Sequence, residues 1–213
     1  MCVVTDGRKA SQRATGRPRV TSRASLERLA FELFARQGFD ETTVDDIARA
    51  AGIGRRTFFH YFASKNDLVW GDFEQHLQKL RKLLSEADPR TPVMEAVRTA
   101  VVEFNRFDPA DVPWHRQRME LILGVPTLQA DSALRYVAWR EVITEFVADR
   151  TCLPPSAMAP RLVGNVVLAA SISAYEQWLS RVPPPPLSDL LDEANRHVGA
   201  GMAAMLDEAA ARA

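Results

Sequence analysis

The chain has 213 residues, 46% of them apolar, which is enough for a sizeable core in one large or two small domains. Its 27 Lys and Arg balance 27 Asp and Glu, so a uniformly basic coat and an acidic solvating composition are both excluded. The two cysteines, Cys2 and Cys152, are far apart and have no Cys or His at ligand spacing, which excludes a disulfide framework or structural zinc site and suits a reducing cytoplasm.

Residues 1–20 show no apolar period. Arg8, Lys9, Arg13, Arg17 and Arg19 stand among Gly, Ser, Thr and Pro, and no acid follows Asp6. This composition reads as a disordered basic arm, attracted to a phosphate backbone and able to send Arg17 or Arg19 into a minor groove. A helix is predicted over about 22–37, with Leu26, Leu29, Ala30, Leu33 and Phe34 on its buried stripe. Gly38 should close it, and Phe39 should plug the small core it belongs to.

The stretch 43–62 reads as two short helices around a tight turn. The Thr43 hydroxyl is placed to cap the first, and Asp45 and Asp46 occupy its dipole-favoured first turn. Val44, Ile47, Ala48 and Ala51 make its inward stripe, and Gly52 supplies the positive φ that ends it. In the second helix Phe58, Tyr61 and Phe62 face inward. Arg55, Arg56, Thr57, Phe59 and His60 remain outside, on a face with no acid of its own. Guanidiniums pair with guanine edges or grip phosphates, and an aromatic ring meets a thymine methyl, so this face reads as the recognition helix of a helix-turn-helix. A small hairpin with a merely solvated basic face is the plainer alternative.

Ser64 and Asp67 form a capping signal for a long helix whose stripe is Trp70, Phe73, Leu77, Leu80 and Leu84. After the break at 88–92 a helix places Val93, Val97, Val101 and Phe104 inward. Two further helices are read at about 114–123 and 131–150, separated by an interruption at Gly124 to Pro126. Trp114, Arg118, Met119, Ile122, Tyr136, Trp139 and Ile143 on these two helices are the candidate lining of an apolar cavity. Its rim is expected to carry His115, Arg116, Arg118, Arg135 and Arg140. Ordinary core packing is the competing explanation of each aromatic taken singly.

Residues 162–179 are apolar almost all round, so this helix is buried on every side or meets another subunit. Its most apolar part is too short and too interrupted to span a bilayer, and the N-terminus has no apolar signal segment, so no membrane partner is expected. A stiff run from Pro183 to Pro186 leads to a last helix over about 187–206. The charges are also unevenly placed. Residues 1–66 carry 12 Lys and Arg against 7 Asp and Glu, a net of +5, and the remainder carries −5. With no sustained strand alternation, the fold class is all-α: an N-terminal helix-turn-helix domain at 21–66 and a C-terminal helical domain at 67–210.

The segment AFELFARQGFDETTVDDIARAAG, a short helix ending in HYF, and the SK pair that opens the next helix together resemble the DNA-binding domain of the TetR family of transcriptional regulators. Where that family commonly has Ser-Lys-Gly-Thr-Leu-Tyr, this chain has Gly54-Arg55-Arg56-Thr57-Phe58-Phe59. The run GRRTFFHYFASKNDLVWGDF is similar to regulators that accompany mycofactocin biosynthesis clusters in actinobacteria. The resemblance implies phosphate contact by Lys65, with His60 and Tyr61 near the backbone and Thr43 beside them. It also implies a homodimer through the last two helices, double-stranded operator DNA as partner, and a small-molecule effector such as a long-chain acyl-CoA.

The four histidines are scattered, and HExxH, G-x-S-x-G, P-loop and Rossmann patterns are all missing, so neither an enzyme nor a cofactor or metal is expected. The expected function is a ligand-responsive regulator, more a repressor than an activator. The alternative is an acyl-CoA-sequestering helical dimer whose DNA motif is degenerate.

Overall fold

The computed structural model describes residues 22–211, which form ten α-helices and, among the described residues, no strand. The basic arm, with Arg17 and Arg19, lies outside the described residues. Contacts divide the chain at Lys65/Asn66 into two compact units.

The first unit contains α1 (Arg23–Gln37), α2 (Val44–Ala51) and α3 (Arg55–Tyr61). Ser22 caps α1 by accepting the Ser25 N–H at 3.1 Å, and Gly38 ends it at φ +88°. The expected stripe is buried, Phe31 joins it, and Phe39 packs its ring 5.0 Å from that of Phe34. At α2 the expected cap is a full capping box. Asp46 N–H donates to the Thr43 hydroxyl at 3.1 Å, while Thr43 N–H donates to the Asp46 carboxylate at 3.0 Å. Gly52 then turns at φ +68°, a left-handed conformation that costs glycine little. Val44 stays half-exposed, whereas Ile47, Ala48 and Ala51 are buried. Phe58 and Phe62 fill the core from the α3 side, each worth roughly 1.5–3 kcal/mol of burial. Tyr61, expected inward with them, is only half-buried.

The second unit runs through α4 (Lys65–Trp70, begun at the division), α5 (Phe73–Ser85), α6 (Val93–Phe104), α7 (Val112–Gly124), α8 (Pro126–Thr151), α9 (Met158–Ser180) and α10 (Leu187–Ala211). The long helix expected after Ser64 is in fact two helices. Gly71 adopts φ +65°, and Asp72 starts the next helix by accepting the Gln75 N–H at 3.1 Å. A glycine that leaves the helical region, followed by a capping acid, ends one helix and starts another although the apolar stripe continues across the break. The expected interruption at Gly124 to Pro126 does separate α7 from α8, but it is short: Pro126 stands at the first position of α8, where its missing N–H has no partner to lose, so α8 begins five residues before the expected 131.

Within this unit α9 packs along α8 and α10, α10 also covers α6, α5 lies against α6 and α8, and α7 rests on α8 and α9. The approach of α8 and α9 depends on Gly164. A Cβ there would stand 2.5 Å from the Thr144 hydroxyl oxygen and 2.9 Å from the Arg140 carbonyl oxygen. Among the described residues no helix is long and apolar enough to cross a membrane.

Candidate nucleic-acid interface and ligand cavity

The Gly52 turn sets α3 so that Phe58 and Phe62 point into the core, which leaves Arg55, Arg56, Thr57, Phe59 and His60 exposed. Phe59 keeps 44% of its surface in solvent, an unusual position for a phenylalanine with a core beside it. The structure adds an acid to this face that the helix itself lacks. Asp45 of α2 pairs with Arg55 at 2.9 Å, and the same guanidinium lies 5.5 Å from the Phe59 ring centre. Thr43 is exposed, but its hydroxyl also donates to the Asp46 carboxylate at 2.6 Å. That bond, with the backbone one, holds the Asp46 carboxyl below its ordinary range.

Lys65 is held where the resemblance did not place it. Its ammonium donates to the carbonyls of Phe39 at 2.6 Å and Thr42 at 2.8 Å, reaches that of Asp40 at 3.5 Å, and lies 4.1 Å from the Phe39 ring centre. It therefore ties down the turn between α1 and α2. Partial burial lowers its pKa, against the pull of Asp40 and Glu41. Arg23 bridges α1 to the end of α3, donating to the Tyr61 carbonyl at 3.3 Å over the Phe62 ring.

The second unit encloses a cavity of about 520 Å³. Six of the expected lining residues form its wall: Trp114, Arg118, Met119 and Ile122 from α7, and Tyr136 and Trp139 from α8. Ile143 does not reach it; it is fully buried in the main core, one turn beyond Trp139. Of the expected rim, His115 and Arg118 line the cavity, but Arg116 and Arg135 are structural ties. Arg116 donates to the carbonyls of Trp178 and Leu179 at 2.8 and 2.7 Å, closing the end of α9. Arg135 pairs with both Asp67 and Asp131, joining α4 to α8, and covers the Trp70 ring. Lys79 and His76 on the wall come from α5, and burial, with the Arg118 charge, lowers the His76 pKa below its ordinary value.

One corner of the cavity is polar. Asn105 donates to the Val101 carbonyl at 2.8 Å, accepts from Tyr175 at 2.6 Å, and Tyr175 in turn meets His115 Nε2 at 2.7 Å. His115 stacks on Phe107 with ring centres 3.8 Å apart. Burial, helped by the nearby charges of Arg118 and His76, pushes His115 down to about 3, so it is neutral at any physiological pH. Burial also raises Tyr175. Sequence reasoning missed Asn105, Phe107, Ser171, Ile172 and Tyr175 as cavity residues. The partners lie 60 and 70 residues apart, and no local pattern links them.

Comparison with known proteins agrees with this two-part layout. Residues 28–69 match the family model of the bacterial regulatory proteins of the tetR family, and residues 91–203 match that of the MftR C-terminal domain. The mycofactocin biosynthesis transcriptional regulator MftR of Mycobacterium tuberculosis is 46% identical over 187 residues, 88% of this chain and 94% of that one. Two solved structures share the fold. The TetR-family repressor FadR of Thermus thermophilus, in complex with lauroyl-CoA, has a TM-score of 0.52 at 20% identity, covering 82% of this chain and 92% of that one. The fatty acid degradation regulator FadR of Bacillus halodurans has a TM-score of 0.59 at 17% identity, covering 86% and 95%. A helix-turn-helix with an exposed arginine face, a helical unit around a cavity and a relative at this identity over nearly the whole length make the chain a member of the TetR family: a DNA-binding transcriptional regulator, not an enzyme.

Proposed function

We propose that the chain is a homodimeric repressor released from its operator when a small apolar effector, a long-chain acyl-CoA in the first instance, enters the cavity of the second unit. The observation that carries this reading is the cavity itself. Its wall is mostly apolar and aromatic, and Arg118 and Lys79 supply positive groups for phosphate oxygens. The lauroyl-CoA complex of the Thermus fold neighbour supports the acyl-CoA assignment.

On DNA, Arg55, Arg56, Thr57 and Phe59 read base edges, while Thr43, His60, Tyr61 and Lys65 serve the phosphate backbone, with Arg17 and Arg19 of the arm adding minor-groove attraction. Lys65 serves it mainly through the turn that it holds. Two half-sites about 34–36 Å apart need two copies of α3. The face of α9 bearing Arg161, Asn165, Ala169 and Ser173 is exposed at every fourth residue and flanked by half-buried Leu162, Val166 and Ile172, which supports pairing through α9 and α10.

Fluorescence-anisotropy titration on DNA from upstream of the protein's own gene, with and without lauroyl-CoA, tests the proposal. Specific binding reversed by lauroyl-CoA is the expected result. Specific binding indifferent to it removes the acyl-CoA effector. Binding of lauroyl-CoA without preference over random DNA points instead to a sequestering dimer.

A further inference from the structure

The polar corner of the cavity has a direction. Asn105 donates its amide N–H to a backbone carbonyl, Val101, which is an acceptor only; the side-chain carbonyl of Asn105 must therefore accept, and the Tyr175 hydroxyl must donate to it. With its one proton committed, the Tyr175 oxygen can only accept from His115, so the imidazole carries its proton on Nε2. Nδ1 is left as a bare lone pair. Among the described residues it has no hydrogen-bond partner, and it is not among the polar atoms sealed away by their neighbours. It is also fixed in place, because Phe107 stacks on the ring and Tyr175 anchors its far edge. Trp178 lies 6.1 Å from the ring, centre to centre, and the side chains of Arg118 and His76 are also close by.

We propose that the cavity selects ligands that present a neutral hydrogen-bond donor, an O–H or amide N–H, to His115 Nδ1, with the apolar body of the ligand lying against the aromatic wall. His115 is the recognition residue, and Tyr175 and Asn105 are positioning residues that hold its tautomer. A bare alkyl chain or an ether in the same place strips water from the lone pair without replacing the bond, and a site built to hydrogen-bond discriminates strongly against such a molecule. Neutrality of the imidazole, already required by its enclosure, keeps the lone pair available across physiological pH. In an acyl-CoA the donor is either a hydroxyl on the chain or an amide N–H of the pantetheine arm; the shared chemistry is the same. The inference rests on the cavity being the effector site, though not on the effector being an acyl-CoA.

The test uses two isomers, 1-undecanol and decyl methyl ether, which differ in the donor and not in atom count. Binding to the full chain is followed by quenching of the cavity tryptophans. The alcohol should bind at least tenfold more tightly than the ether. His115→Phe, which keeps the stack on Phe107, should abolish that preference by weakening the alcohol alone. Tyr175→Phe, which frees the imidazole to carry its proton on Nδ1, should shrink it while His115 remains. Equal binding of the isomers to the wild type, a preference that survives His115→Phe, or no binding of either overturns the inference. Lauroyl-CoA and 3-hydroxylauroyl-CoA, compared on the same variants, separate the two sources. A hydroxyl source predicts a wild-type preference for the hydroxy compound that is lost with His115; an amide source predicts equal binding and equal loss. Release of operator DNA by lauroyl-CoA with no effect of His115→Phe on any ligand would sink this inference and leave the effector site standing.

Discussion

Asp45, in the first turn of α2, holds Arg55 at the start of α3 in an ion pair of 2.9 Å, with both side chains more than half exposed. The pair links the two helices of the DNA-reading motif and occupies one of its two candidate base-reading arginines. An exposed pair of this kind is worth about 0.2–1 kcal/mol, so phosphates or base edges can outcompete it. Asp45→Asn should therefore tighten binding to operator and random DNA alike, by roughly twofold to fivefold at low salt. Anisotropy titrations over a salt series check this. No change on either DNA would mean that the pair does not restrain Arg55.

Arg56 and Lys65 should fail in different ways. Arg56 is exposed at the start of α3, and Arg56→Ala should cost about 1–3 kcal/mol on the operator and relax base preference. Lys65→Ala should instead lower the stability of the DNA-binding unit, by about 2 kcal/mol, because it strips a charged donor from two close carbonyls. It should leave base preference intact. Urea denaturation and competition binding on the same two variants separate the roles. A Lys65 variant of unchanged stability whose salt slope falls by about one would return the lysine to a direct phosphate contact.

The capping box predicts an acid-sensitive motif. The Thr43 bonds lower the pKa of Asp46, so the unfolded chain binds more protons than the folded one as pH falls. The contribution of Asp46 is thus fully present above the ordinary value of 3.8 and is lost as pH drops through the lowered folded value. Asp46→Asn should flatten the part of the stability-pH curve that falls below pH 3.8. Chemical denaturation at a series of acid pH values gives the slope, and an identical slope in wild type and variant would remove this assignment.

Gly164→Ala tests the α8–α9 contact. The new methyl meets the Thr144 hydroxyl oxygen at 2.5 Å and a backbone carbonyl at 2.9 Å, neither of which is the far end of a flexible side chain. Overpacking of this kind typically costs about 1–3 kcal/mol. The urea midpoint should fall accordingly. Thr144→Ala in the same chain should recover only part of it, because the Arg140 carbonyl remains.

How legible all this was depends on how local the cause is. Thr43 three residues before Asp46, and Gly38 and Gly52 after their stripes, act over one turn, and each did what its spacing implied. Gly71 was equally local, yet the stripe from Trp70 through Phe73 to Leu77 preserved its period and masked the break. Pro126 marked the break between α7 and α8 but hid how soon the next helix starts, because a residue that stops helices when internal also opens one at its first turn. Arg116 and Arg135 looked like the mouth of a pocket because a long basic side chain on a helix carries no sign of its partner. Ten residues of chain separate Asp45 from Arg55, and sixty separate His115 from Tyr175. Such pairs exist only once packing has closed the loop between them, and neither periodicity nor capping chemistry reports them.

Arg116 closes the end of α9 three and four residues beyond Tyr175, and it does so from α7, the helix that carries His115. The two halves of the polar corner are thus bolted together by a bond pair of their own, apart from the imidazole–phenol contact. Further along the same two helices, Met119 of α7 and Leu168 and Ile172 of α9 line the cavity with flexible or branched aliphatic groups. A receptor with one stiff end and one pliant end is strict about the functional group that it admits and lenient about how long the attached chain is. Across a homologous series of ligands its affinity should climb smoothly with each methylene, whereas moving the polar group by a single carbon should produce an abrupt drop.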